Sequence, residues 1–253
     1  MRNNVIKAIK DPVKALQIIN RKYFRIGLSA KDPDCNYMKT WVYGKCKRLQ
    51  LKQIFPDIEN ISYQIMNGYN REYNMALTLL EINAINAIVM FLKPDRVFEI
   101  GTFDGGTTLN IAANIPENSK IYTADLPQDF DFKNFFGKIS SVSDNRSDFN
   151  NVGSQYKNTI YEKKVIQIFQ DSAKIDFTKY NLPFDIFFID GCHDYRYVKI
   201  DTMNAVKYTR KGGVILWHDY GMIKDVSDYL DNNNHDLDIN LINGTRLAIA
   251  IIK

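Results

Sequence analysis

The stretch Phe187-Phe-Ile-Asp-Gly-Cys-His193, with Gly213-Val-Ile-Leu-Trp-His-Asp-Tyr220 after it, decides how this chain is organised. Each piece is a short apolar run that breaks off in polar residues, the pattern of a buried strand leaving a sheet. Asp190 and His193 stand at the first exit, and His218 and Asp219 at the second. The chain's three histidines are His193, His218 and His235, so two of the three fall at these exits. In an open α/β sheet, ligands bind at the carboxyl ends of the strands. Carboxylates and imidazoles gathered on one such edge point to a metal or acid–base site.

Outward from these exits the alternation is regular. Apolar residues dominate Asn74 to Leu92 without Gly or Pro, a helix-length window that Pro94 closes. Strands are expected over 97–100, 121–124, 165–169, 184–189 and 214–217, with helices near 107–113, 197–208 and 223–230. Runs over 237–242 and 247–252 flank Asn243-Gly244 and read as a hairpin. The expected fold is α/β: a Rossmann-like, doubly wound, mostly parallel sheet of seven strands with an antiparallel C-terminal hairpin at its edge. A basic, helical N-terminal segment is expected over 1–93 and the main domain over 94–253. Within the segment, Val5 to Ile19 carries a helical stripe with a kink or a helix restart at Pro12, and Gly27 to Tyr37 is a loop. Residues 127–160 break the rhythm and read as an insertion or lid on the substrate side.

Composition bounds the function classes. The chain has 253 residues, 45% hydrophobic and 25% charged, which is ordinary for a globular protein with a sizeable core. No apolar run approaches the roughly 20 residues that span a bilayer, and no secretory signal opens the chain, so a cytoplasmic location is expected. Three cysteines without a CxxC spacing argue against a disulfide framework or structural zinc. Residues 1–52 hold 13 Lys/Arg against 3 Asp/Glu, a net +10 on a chain of net +4. Such a leader suits a solvated helical face, a phosphorylated substrate or peripheral contact with an anionic membrane. Its interleaved aromatics match no nucleic-acid-binding pattern, so no nucleic-acid partner is expected.

Glu99-Ile-Gly-Thr-Phe-Asp-Gly-Gly-Thr-Thr108 sits at a strand-to-helix transition. Its glycines let a ligand approach the backbone, and the helix that follows offers free N–H groups. It matches neither GxGxxG nor GxxxxGK[ST]. Asp125, 26 residues after Glu99, ends the next strand, where a carboxylate accepts both hydroxyls of a ribose. Together these features point to an adenosine-containing cofactor without a pyrophosphate.

The stretch 99–108, Thr123-Ala-Asp-Leu126, Gln170-Asp-Ser172, Phe188-Ile-Asp-Gly-Cys-His-Asp-Tyr195 and Gly212-Gly-Val-Ile-Leu-Trp-His-Asp-Tyr220 resemble class I S-adenosylmethionine-dependent methyltransferases. The branch they look most like is that of the metal-dependent O-methyltransferases, which includes catechol and sugar O-methyltransferases. The resemblance covers residues 95–253. It implies that Glu99, Gly101, Thr102 and Gly105 line the methionine and ribose of the cofactor, and that Thr107 reaches the methionine carboxylate. It further implies Asp125 at the ribose hydroxyls, Leu126 against the adenine, and Asp171 and Ser172 at the adenine edge. Asp190, His218 and Asp219 match the positions from which this branch holds a divalent cation. His193 lies where the catechol enzymes place a general base, so His193 and Asp190 are the expected catalytic pair. The family usually shows carboxylates or an amide where this chain has His218-Asp219. An imidazole ligand shifts preference from Mg2+ towards Fe2+, Mn2+ or zinc. Alternatively, His218 only orients Asp219.

The activity so implied is methylation of a sugar or nucleotide-sugar hydroxyl in surface polysaccharide or capsule biosynthesis. Association of like chains is compatible with it. A metal-independent transfer to a small phenolic or phosphate-type acceptor is the alternative. Tyr195 and Tyr220 flank the site and read equally as acceptor pocket or aromatic packing.

Overall fold

The computed structural model describes residues 44–66, 77–127, 130, 151–180 and 182–253, with the side chains of 234–236 excepted. The helical stripe at 5–19, the loop at 27–37, most of the 127–160 insertion and the His235 side chain lie outside the described residues. The strands are β1 (Lys47–Leu49), β2 (Arg96–Ile100), β3 (Lys120–Asp125), β4 (Val165–Phe169), β5 (Phe184–Ile189), β6 (Thr209–Trp217), β7 (Asn240–Ile242) and β8 (Ala248–Ile251). The helices are α1 (Leu51–Ile54), α2 (Leu79–Leu92), α3 (Gly106–Asn114), α4 (Tyr195–Tyr208) and α5 (Lys224–Leu237).

Among the described residues the strands form one eight-stranded sheet in the order β1-β7-β8-β6-β5-β2-β3-β4. Every neighbouring pair is parallel except the two that β8 makes with β6 and β7. The chain lays β2, β3 and β4 outward in one direction, then crosses back to place β5 and β6 on the other side of β2. The order therefore reverses between β2 and β5, and a crevice opens beyond their carboxyl ends.

Period-2 alternation divides the sheet's two faces. Phe98, Phe187, Ile189, Ile215 and Trp217 enter one core with Val198 and Ala205 of α4 and Leu230 of α5. Val97, Ile186, Phe188, Val214 and Leu216 enter the other with Ile85 and Ile88 of α2 and Ile111 of α3. A strand buried on both faces reads as a continuous apolar run, which is why β5 is Phe-Asp-Ile-Phe-Phe-Ile. The Phe98 ring lies 4.9 Å from those of Phe187 and Phe177. Asp185, near the start of β5, accepts the Asp95 and Arg96 amides at 2.9 Å and pairs with Arg210, a structural role.

The structure departs from the expected elements in three places. An eighth strand, β1, comes from the basic leader and takes the edge of the sheet beside β7. The antiparallel strand β8 consequently lies inside the sheet, because β1 and β7 cover its outer side. Helix α5 runs to Leu237, where a strand was expected to start; Asp238 then takes φ 51°, and only Asn240–Ile242 pairs. Helix α2 packs in the same core as the sheet, and Thr78 caps it through a reciprocal box with Glu81. No helix among the described residues is long and apolar enough to cross a membrane.

Candidate active site

The glycine turn is built around close backbone approach. Gly101 follows β2 with φ +97°, and a Cβ there would stand 2.1 Å from the carbonyl oxygen of Asp190. The Asp190 amide donates to the Ile100 carbonyl at 2.8 Å, so the β2 and β5 exits are locked side by side. Gly105, at φ +80°, caps α3, and its missing side chain makes room for the Tyr156 ring. Asp125 ends β3 and accepts the Phe103 amide at 2.7 Å and the Leu126 amide at 2.8 Å, so its carboxylate shapes the turn.

Glu99 is fully buried beneath this turn. Its Oε2 accepts the hydroxyls of Thr108 at 2.5 Å and Thr123 at 2.6 Å, while Oε1 has no hydrogen-bond partner. Burial pushes its carboxyl up to about 8, opposed by the two threonines and assisted by Asp190 and Asp125. Thr102 bonds Thr123 at 2.7 Å and receives the Gln167 amide at 3.0 Å. Thr107 is the second residue of α3, at the rim. Asp171 caps the turn after β4 by accepting the Ala173 amide, and Ser172 follows it. The Gln170 amide donates to the Asp125 carbonyl at 2.9 Å, which ties the β3 and β4 exits together. The expected cofactor residues thus share one rim, from β2 through β3 to β4.

Residues 151–158, the described end of the expected insertion, lie against the turn. The Gly153 and Gln155 amides donate to the carbonyls of Phe103 and Asp104, both at 2.9 Å. Tyr156 donates to Gln167 at 2.6 Å, and burial, then Glu99, pushes its hydroxyl up to about 12. Neither Tyr156 nor Gln167 carried a sequence signal, because each acts across the sheet exit rather than within a motif.

The titratable cluster lies beside the turn, at the exits of β5 and β6. Asp190, His193 and Asp219 each offer one ligand atom, and these atoms lie within 4.8 Å of one another. His193 Nε2 stands 3.1 Å from Asp219 Oδ2 and 3.8 Å from Asp190 Oδ1. This nitrogen is buried and aligned for a hydrogen bond with neither carboxylate. Two carboxylate oxygens at this spacing fit a divalent cation, with the imidazole nitrogen beside them. Asp219 takes φ +58°, a left-handed conformation that turns its side chain back towards β5.

His218 enters the cluster differently. It is 3% exposed, its Nδ1 is 3.0 Å from Asp190 Oδ1, and its Nε2 is 3.4 Å from Glu81 Oε2. Both ring nitrogens face carboxylates, Nδ1 that of Asp190 and Nε2 that of Glu81. Burial opposes its charge, but Asp190, Asp219 and Glu81 outweigh that and hold the imidazole well above its ordinary value. For His193, burial likewise pulls down, while Asp190 and Asp219 prevail and push it up to about 9. Burial disfavours the charged Asp190 and Asp219 carboxylates, yet His218 and His193 hold both below the usual range. Glu81 and Arg246 complete the network from outside every motif; a lone acid in a helix and a lone arginine near a strand are invisible as a pair in sequence.

Tyr220 is 1% exposed, and its hydroxyl bonds the Cys46 amide and Asp231, so it anchors the lead-in to β1. Tyr195 packs edge-on against Tyr229 at 5.4 Å.

Residues 98–220 match a family model described as a methyltransferase domain. Over this span the chain is similar to methyltransferase domains. The matched span runs from the middle of β2 to just past β6, and so takes in the glycine turn and the whole titratable cluster except Glu81 and Arg246. An uncharacterized protein of Acanthamoeba polyphaga mimivirus is 30% identical over 160 residues, 61% of this chain and 63% of its own length. The match thus spans less than two thirds of that relative. The fold is shared with solved methyltransferases. An O-methyltransferase from Bacillus cereus in complex with SAH is 14% identical, covering 80% of this chain and 97% of that one, with a TM-score of 0.54. An SAH-bound methyltransferase from Podospora anserina is 14% identical over 80% of this chain and 94% of its own, at 0.56. A Streptomyces achromogenes O-methyltransferase in complex with SAM is 15% identical over 91% of this chain and 95% of its own, at 0.52.

Proposed function

We propose that the chain transfers a methyl group from S-adenosylmethionine to a hydroxyl of a sugar or nucleotide-linked sugar, with a divalent cation held beside the acceptor. The observation that carries this is the meeting of Asp190, His193 and Asp219 directly beside the Gly101 turn. The buried Glu99 Oε1 without a partner and the Asp125 carboxylate at the turn fit the amino-acid and ribose ends of that cofactor. When bound, the cofactor supplies an already activated methyl group, so the protein's work is alignment and deprotonation.

Asp190 and Asp219 would hold the cation, which when bound makes a coordinated hydroxyl more acidic. His193 Nε2 takes the proton from the acceptor hydroxyl. With an imidazole held up to about 9, His193 stays protonated at neutral pH while both carboxylates face it. A cation that takes up their charge brings the ring back towards the range of a base, so cation and base are coupled. His218, bonded to Asp190 on one side and facing Glu81 on the other, orients the carboxylates from behind.

The sugar acceptor and a role in surface polysaccharide or capsule biosynthesis rest on the motif resemblance. The +10 leader suits a phosphorylated or nucleotide-linked acceptor, and a cytoplasmic setting would supply it.

One observation favours a metal-independent transfer to a phenolic or phosphate-type acceptor. Glu81, Asp190 and Asp219 face Arg246 and two histidines, so the cluster balances its own charge when both rings are protonated. A screen of nucleotide sugars and phenols with methyl-labelled cofactor, with Mn2+ and then with chelator, separates the two. Labelled nucleotide sugar that disappears on chelation supports the cation reading; transfer to a phenol at the same rate with chelator contradicts it.

A further inference from the structure

Glu81 and Arg246 lie in none of the motifs, yet several buried polar contacts join them to each other and to the site. Glu81 is in the first turn of α2 and is 0% exposed; Arg246, on the approach to β8, is 7% exposed. Arg246 Nε donates to Glu81 Oε1 and Nη2 to Oε2, each at 2.9 Å, a two-point fork. The Arg246 amide adds a third bond to Oε1 at 2.8 Å. The guanidinium does not end there: Nη1 donates to Asp219 Oδ1 at 2.9 Å.

Burying a charge pair costs desolvation that apolar side chains of the same volume would avoid. A pair serving only to join α2 to β8 would need no third partner. Here the third partner is the carboxylate of Asp219, whose left-handed backbone leaves its direction unset by regular secondary structure. With Oδ1 held by Arg246, Oδ2 is the oxygen that faces His193. We propose that Glu81 and Arg246 are positioning residues: Arg246 fixes the orientation of Asp219, and Glu81 fixes Arg246 while backing His218. The proposal rests on the assignment of Asp190 and Asp219 to a cation. Without the fork, the Asp219 carboxylate is free to turn towards His218 Nδ1, 3.5 Å from Oδ1, and present the wrong oxygen.

Charge-conserving variants of the full chain test this, because a simple Coulomb effect leaves them unmoved. Arg246→Lys keeps the cation but loses the fork; Glu81→Asp keeps the anion but shortens its reach. Each is titrated with Mn2+ and, separately, with SAH, alongside thermal melts. The expected result is Mn2+ affinity lower by about 10–100-fold in either variant, the usual effect of removing a group behind a metal ligand. SAH affinity stays within about twofold, and the double variant is no worse than the worse single one, since the two act as a unit. Folded variants that bind Mn2+ as the wild type does overturn the proposal, and should one variant fail to fold, the other carries the test. If wild-type protein takes up no Mn2+, the cation assignment itself fails, and the 15N signals of the His193 ring decide positioning. A changed His193 signal in Arg246→Lys supports Arg246 as the group aiming Asp219; an unchanged one overturns it.

Discussion

At the scale of single residues, the chemistry turns on which groups compete for Asp190 and Asp219. His193 is a protonated competitor at neutral pH, held up to about 9 by the two carboxylates despite its burial. A cation must displace that charge, so Mn2+ affinity is expected to rise as pH is raised from about 6 to about 8, by up to tenfold per unit. His193→Ala should flatten this slope, leave Mn2+ affinity at pH 7 unchanged or higher, and cut turnover about 10²–10⁴-fold. A loss of both Mn2+ affinity and turnover in that variant would make the imidazole a ligand instead of a base; titration calorimetry at three pH values reads the difference. Glu99 provides a second test with the opposite sign. Its folded-state value, raised by burial to about 8, lies above that of an unfolded glutamate, ordinarily about 4.3. The stability it contributes is therefore complete below the unfolded value and is lost as pH rises through the folded one. Glu99→Gln should remove that part of the decline in denaturant midpoint between about pH 5 and pH 8 while weakening SAH binding; a wild-type pH profile in the variant would show that Glu99 is ionised in the fold.

At the scale of elements, the β2 and β5 exits are held together by one position. A Cβ at Gly101 would collide with the Asp190 carbonyl, and φ +97° is a conformation that alanine rarely adopts. Gly101→Ala is expected to destabilise by about 2–4 kcal/mol and to abolish SAH binding, as urea melts and titration would show. That glycine was legible in sequence because a left-handed turn after an apolar run leaves a local mark. Strands β2, β3 and β5 and the 214–217 part of β6 were legible because burial on both faces writes apolar runs such as Phe187-Phe-Ile189, and the edge strand β4 was legible as Val165-Ile-Gln-Ile-Phe169. Strand β1 was not, since its three residues carry Lys47 and Arg48 on an exposed edge and pair only through backbone. The extension of α5 over a run that also suits a strand shows the usual ambiguity of short apolar segments. Within the site, motif residues were legible, whereas Glu81 and Arg246 meet across 165 positions and leave no spacing to find.

At the scale of the whole molecule, helices cover both faces of the sheet among the described residues, and Asp125, Asp190, His193 and Asp219 gather at the carboxyl ends of its strands. The lead-in to β1 is tied to this end of the sheet through Tyr220, whose hydroxyl bonds the Cys46 amide at 2.7 Å and Asp231 at 2.5 Å. Tyr220→Phe should therefore loosen β1 by about 1–3 kcal/mol with little change in SAH affinity, measurable as faster hydrogen exchange over residues 45–49. Cofactor binding acts on the fold as a unit: SAH at a hundred times its dissociation constant should stabilise by about 2.7 kcal/mol. The most direct measurement is a crystal structure of the full chain grown with SAH and Mn2+, with anomalous diffraction recorded for manganese. The account predicts SAH along the β2–β3–β4 rim, its ribose at Asp125, and one anomalous peak between Asp190 and Asp219. SAH bound elsewhere, or ordered SAH with no manganese at those carboxylates, would contradict it.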